Sequence, residues 1–242
     1  MTARVNMNAG TPVEPLRLRL RRGLLLCTTL LILTGASSDA KAKASNRNPA
    51  LGDKLADVTF VVFDLETTGF SAAYDRIVEV GAVKFQNGKI VDQKAWLVNP
   101  GRRIPWGAQR VHGITDAMVK DSPAFKAIYP EFHDFIKGSV LMAHNARFDV
   151  GFLAAEIQRA GFPLPNNKVV DSLSLFRRWY PDIKSHSLED VVKHTNVEPG
   201  LFHRALEDSI YVYRIFEHGM KRNQNVETLG DVFEACGGPM KF

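Results

Sequence analysis

Two acidic residues spaced two apart at the end of an apolar run are costly unless something positive sits between them. Phe63-Asp64-Leu65-Glu66-Thr67-Thr68-Gly69 has that form, directly after Val58–Val62. If the run is a strand, its period of two places both carboxylates on one face. Like charges side by side repel and resist burial. A divalent cation relieves that cost, and a set of hard oxygen ligands suits magnesium or manganese. Taken alone, the pair reads more readily as two acids capping a strand beside a polar turn. Gly69 is expected to permit a sharp exit from the strand.

Two further clusters have the same character. His144-Asn145-Ala146-Arg147-Phe148-Asp149 follows the apolar run Ser139–Ala143. Asp149 is expected in the first turn of a helix, where the helix dipole favours a carboxylate. His203-Arg204-Ala205-Leu206-Glu207-Asp208 opens a long amphipathic segment. His203 is expected just before the helix and Asp208 one turn inside it, both facing one cavity. Glu207 points about 100° away around the helix and is read as solvated.

These residues need elements to position them. Residues 58–64 form a β-branched and aromatic run suited to a strand buried on both faces. Residues 76–86 and 89–98 read as strands joined by the turn signal Asn87-Gly88, so the first three strands form an antiparallel meander. Residues 99–122 read as loop with short helical pieces, and 139–143 and 168–170 as short strands. Helices are expected at 123–137, 147–160, 171–179, 187–195, 204–221 and 226–235. Strands alternating with helices make an α/β layered domain. Its site belongs at the carboxyl ends of the strands.

Charge argues less than it promises. The net charge is +5, but residues 1–43 carry Arg4, Arg17, Arg19, Arg21, Arg22, Lys41 and Lys43 against only Glu14 and Asp39. Residues 44–242 therefore sum to zero, and the basic balance is no evidence for a nucleic-acid face. In 1–43, the basic segment 17–22, the apolar stretch 23–34 and small residues such as Ala36 and Ala40 resemble a signal-like leader. Arg21-Arg22 weakly resembles a twin-arginine signal. The apolar core is shorter than the roughly 20 residues of a stable membrane span. The location is periplasmic or secreted if 17–40 is a signal peptide, and cytoplasmic if the leader is a start-site artefact. Residues 44–56 read as a linker, 57–222 as the catalytic domain and 223–242 as a short C-terminal tail. Cys27 and Cys236 form no framework.

Together, FDLETTG, HNARFD and HRALED resemble the three motifs of the DEDDh 3′→5′ exonuclease superfamily. EVGAV at 79–83, VHGIT at 111–115 and HSLED at 186–190 are similar to its proofreading branch, the epsilon subunit of bacterial DNA polymerase III. The resemblance spans about residues 57–220. It implies a ribonuclease H-like fold, with a mixed central sheet, an antiparallel three-strand meander and flanking helices. It implies that Asp64, Glu66, Asp149 and Asp208 hold two Mg2+ or Mn2+ ions and that His203 is the general base. It also implies that Leu65, Thr67 and Thr68 line the terminal nucleotide, with His112, Asn145 and Phe148 contacting substrate.

The expected substrates are single-stranded or frayed DNA 3′ ends. A 3′→5′ exoribonuclease is the alternative, and an inactive nucleic-acid-binding module a third reading. Polymerase association is open as a partner reading, but the short segment 222–242, with no clear clamp-binding motif, leaves it unsupported. Arg102-Arg103 and Arg177-Arg178 are read as surface pairs, and Trp96, Trp106 and Trp179 as packing residues. His186, His194 and His218 have no partner legible in the sequence.

Overall fold

A computed structural model describes residues 47–198 and 202–242. The signal-like leader and the first residues of the expected linker lie outside the described residues.

Five strands form one mixed sheet: β1 (Thr59–Thr67), β2 (Ile77–Gln86), β3 (Lys89–Leu97), β4 (Val140–Ala143) and β5 (Val169–Asp171), in the order β3-β2-β1-β4-β5. β1, β2 and β3 pair antiparallel, as the Asn87-Gly88 signal predicts. β4 runs parallel to β1, and β5 parallel to β4. The helices are α1 (Trp106–His112), α2 (Asp116–Val119), α3 (Phe125–Ile136), α4 (Ala146–Ala160), α5 (Ser172–Trp179), α6 (Leu188–Thr195), α7 (Ala205–Arg222) and α8 (Leu229–Ala235).

Alternation along β1 sorts the core into two layers. Phe60 and Val62 face the layer that holds Tyr211, Val212, Ile215 and Phe216 of α7, together with buried residues of α5, α6 and α8. Phe63 and Leu65 face the opposite layer, with Phe132 of α3 and Phe152 and Leu153 of α4. Asp64 and Glu66 continue the first row, so both carboxylates emerge on the α7 side, near the carboxyl end of β1.

The packed unit extends past both edges expected from sequence. Residues 48–56 read as a linker, yet the Leu55 and Leu229 amides bond to the Glu227 and Asp53 carbonyls, and Lys168 Nζ bonds to the Pro49 carbonyl. The segment expected as a tail contributes buried Val226, Leu229, Val232 and Phe233 to the core. Its Met240 exchanges both backbone hydrogen bonds with Val169 at the sheet edge. The spacing of apolar residues in α8 suits burial of one helix face.

Candidate active site

β1 keeps its ladder with β2 through Glu66, which sits opposite Glu79, and the register shifts between Glu66 and Thr67. The bulge turns the strand where its carboxylates are needed. Beyond it, Gly69 does not adopt a left-handed conformation. Its requirement is clearance instead, because a Cβ there would meet the Asp75 carboxylate at 2.5 Å. Asp75 closes the loop by accepting from Thr68 Oγ1 at 3.2 Å and from the Ser71 amide at 3.0 Å. Arg159, Arg102 and Arg76 donate to the carbonyls of residues 72–75.

Asp149 arrives from the other core layer. Asp171, at the end of β5, accepts from the Ala146 amide at 3.0 Å and from the Ser174 amide at 3.2 Å, so one carboxylate caps the starts of both α4 and α5. Asn145 before α4 takes a left-handed conformation with φ 62°. These contacts set the first turn of α4, and Asp149 within it is buried.

Asp208 comes from the first turn of α7 and folds back on its own loop. Its Oδ2 accepts the His203 amide at 3.0 Å, while its Oδ1 is buried with no hydrogen-bond partner among the described residues. An orphaned buried carboxylate oxygen is rare and marks a place for a ligand. One oxygen each from Asp64, Glu66 and Asp208 lies within 4.8 Å of the others. Asp149 stands outside that trio, yet its charge acts on Asp64.

The electrostatics follow from crowding. Burial, reinforced by Asp149, Glu66, Asp208 and Glu79, pushes the Asp64 carboxyl far above the usual carboxylate range. Burial raises Asp149 too, against hydrogen bonds from its own amide and that of Leu65. Glu66 is pushed up to about 8, chiefly by burial and then by Asp208 and Glu79, with Arg204 opposing. Burial raises Asp208 to about 6, and its contacts with His203 pull the other way. Four acids that resist ionisation in one place fit an all-oxygen site for hard divalent cations.

His203 is half-exposed and has φ 62°, a conformation that costs a residue with a Cβ about 1–2 kcal/mol. Its Nε2 lies 3.4 Å from Glu189 Oε1, in the HSLED segment.

Beside the carboxylates is a cavity of about 390 Å³. Leu65, Thr67, Thr68, His112 and Phe148 line it, so five of the six expected substrate residues meet there; Asn145 is exposed and is not among its lining residues. Within it, His112 Nδ1 accepts the Ile114 amide at 3.0 Å, which leaves the proton on Nε2. That Nε2 is buried without a hydrogen-bond partner among the described residues, and burial lowers the imidazole pKa.

The sequence missed several participants. Phe70, 92% exposed, stands at the cavity rim with Val111. Trp106, read as a packing residue, is 69% exposed and has Arg110 stacked 4.7 Å from its ring. Trp96 and Trp179 are buried. His144, beside Asn145, is structural: its ring nitrogens meet Ser172 Oγ at 3.1 Å and the His186 carbonyl at 2.8 Å. His186 and His218 find partners on Tyr180, and His194 packs edge-on against the same ring. Asp171 and Glu79 are site supports with a legible signal: each is an acid inside or ending an apolar run.

The family model described as exonuclease, RNase_T, matches residues 61–216. The chain belongs to the RNase T exonuclease family. This exonuclease is 39% identical over 176 residues to the PolC-type DNA polymerase III of Clostridium perfringens, covering 73% of the chain and 12% of that protein. It is 43% identical over 155 residues to the PolC-type enzyme of Halalkalibacterium halodurans, covering 64% and 11%. The chain thus spans only 11–12% of the length of these relatives. Among solved structures, exonuclease X in complex with 5′-overhanging duplex DNA is 30% identical with a TM-score of 0.57, covering 72% of this chain and 98% of that one. The nuclease domain of 3′hExo, a DEDDh family member bound to rAMP, is 17% identical with a TM-score of 0.60, covering 68% and 92%, and shares the fold. The chain is therefore an exonuclease of the RNase T family, similar in sequence to part of the PolC-type polymerases and sharing its fold with a DEDDh family member. The acidic cluster of Asp64, Glu66 and Asp208 is compatible with a divalent metal ion.

Proposed function

We propose that this exonuclease releases nucleoside monophosphates from DNA 3′ ends by hydrolysis, with Asp64, Glu66, Asp149 and Asp208 holding two Mg2+ or Mn2+ ions. The observation that carries the reading is adjacency: the carboxylate cluster opens beside a cavity sized for one nucleotide and lined by Leu65, Thr67, Thr68, His112 and Phe148. Divalent ions held there supply a nucleophilic water at neutral pH and stabilise charge on the phosphate.

The chain's own groups do the rest. Leu65 and Phe148 offer apolar faces to a base, a sequence-tolerant contact worth about 1–3 kcal/mol. His112 forms part of the cavity wall, with its Nδ1 committed to the Ile114 amide. Thr68 holds the cavity wall, because its hydroxyl is already committed to Asp75 and the Arg76 amide. Neutral His203 takes the proton from the attacking water, a role suited to an imidazole near neutral pH.

Similarity to PolC-type polymerases and to a DNA-bound exonuclease X favours DNA. An exoribonuclease is the second reading, favoured by the fold shared with rAMP-bound 3′hExo. Digestion of end-labelled single-stranded DNA, frayed duplex and RNA with Mg2+ or Mn2+ decides between them. Faster turnover of RNA than DNA would overturn the preferred reading, and activity surviving EDTA would overturn the metal assignment.

A further inference from the structure

EVGAV and HRALED are far apart in sequence, yet the structure places Glu79 and Arg204 in direct contact. Glu79 sits on β2 opposite Glu66 and is 1% exposed. Its Oε1 accepts from Arg204 Nη2 at 2.7 Å and its Oε2 from Arg204 Nε at 3.2 Å, a two-pronged pairing. The same Oε2 accepts the Ala205 amide at 3.1 Å. Arg204 precedes α7 and offers no side-chain cap to it. Glu79, from another strand, therefore satisfies the first amide of the helix, where its charge also suits the dipole.

Two neighbouring contacts tighten the junction. Two residues along β2, a Cβ on Gly81 would lie 2.1 Å from the Ala205 carbonyl carbon, so only glycine lets the start of α7 lie on the strand. Ser209 Oγ donates to the Gly81 carbonyl at 3.3 Å. On the other side of Arg204 is His203, in its unfavourable left-handed conformation, with its amide on Asp208. A residue held at φ 62° stays there only if both flanks are fixed.

We propose that Glu79 is a positioning residue for the reaction: through Arg204 and the Ala205 amide it latches the turn that presents His203. The proposal rests on His203 being the general base. Glu79 is almost wholly buried and its hydrogen bonds run to Arg204 and the Ala205 amide, so its effect is transmitted through them.

The test is a double-mutant cycle with Glu79→Gln, His203→Ala and the double variant, read as single-turnover rate and KM on a labelled oligodeoxynucleotide at saturating Mg2+, with melting temperature recorded for each. Glu79→Gln is expected to lower the rate about tenfold or more with KM nearly unchanged, and the double variant is expected to be no slower than His203→Ala alone, because residues acting as one unit are not additive. Full activity of Glu79→Gln per folded molecule, alongside an impaired His203→Ala, overturns the latch and leaves the base assignment standing. Full activity of His203→Ala overturns the base assignment and the latch with it. Multiplying losses also overturn the latch, since they place Glu79's effect elsewhere. If Glu79→Gln does not fold, Arg204→Lys takes its place in the cycle: it keeps the charge and loses the two-pronged pairing.

Discussion

The two halves of the site are built differently. Asp64 and Glu66 extend from a central strand hydrogen-bonded on both sides, and Asp149 sits in a helix turn capped from β5. His203 stands on an approach loop, half-exposed, in a left-handed conformation. Groups that must bring like charges together are mounted on the stiffest part of the fold, where the cost of repulsion cannot be relaxed by movement. The group proposed to exchange a proton is mounted where solvent reaches it, and its orientation is set by neighbours instead of by a sheet. The carboxylate half is over-determined by the core, while the histidine half depends on a few polar contacts.

That contrast can be broken by mutation. Asp64→Ala or Asp149→Ala is expected to reduce exonuclease activity to background while circular dichroism stays native. Near-normal turnover by either variant would sink the metal-site assignment. His203→Ala is expected to lose about 100-fold or more, the usual cost of removing a general base. It should also lose the acidic limb of the pH–rate profile, and an unchanged profile would count against its role.

The carboxylate half should show itself in stability as well as rate. Glu66 is raised from 4.5 to about 8 and Asp208 from 3.8 to about 6. A carboxyl with a raised folded pKa binds its proton more tightly folded than unfolded. Its contribution to stability is therefore best below the unfolded value and declines as pH rises through the folded one. In EDTA the melting temperature should fall between about pH 4.5 and 8, and Mg2+ should restore more of it at the upper end. In EDTA at about pH 8, Asp64→Asn should melt no lower than the parent, since it removes the cost of placing a carboxyl group in this buried, crowded position. A clearly lower melting temperature would show that this cost does not dominate the region.

Smaller effects are expected at the cavity. Phe148→Ala should raise KM by about 5- to 150-fold per folded molecule, the equivalent of one lost base stack, with some loss of melting temperature from its packing on Phe152. Titration of substrate under steady-state conditions reads it directly. An unchanged KM would remove Phe148 from the substrate surface.

Much of the first half of the site was legible. Period-two spacing alone puts Asp64 and Glu66 on one face, and Asn87-Gly88 fixes the meander. The ends of the domain were harder to read. Residues 48–56 attach through backbone hydrogen bonds, which leave no mark in side-chain pattern. Gly69 was legible as a required glycine but not for its reason, because crowding by Asp75 comes from a loop closing on itself. Trp106 was misjudged since aromatic type alone does not tell a core residue from one left exposed.

By itself, the sequence determined which residues carry the charge, which face of β1 presents it and which family the motifs resemble. Those depend on local periodicity and residue chemistry, which the chain carries position by position. Only the tertiary structure decided that Asp171 caps two helices at once, that His112 joins Leu65, Thr67, Thr68 and Phe148 around one cavity, and that Glu79 reaches across 125 or more residues to the start of α7. These are contacts between distant segments, and they exist only once sheet register and helix docking have brought the segments together.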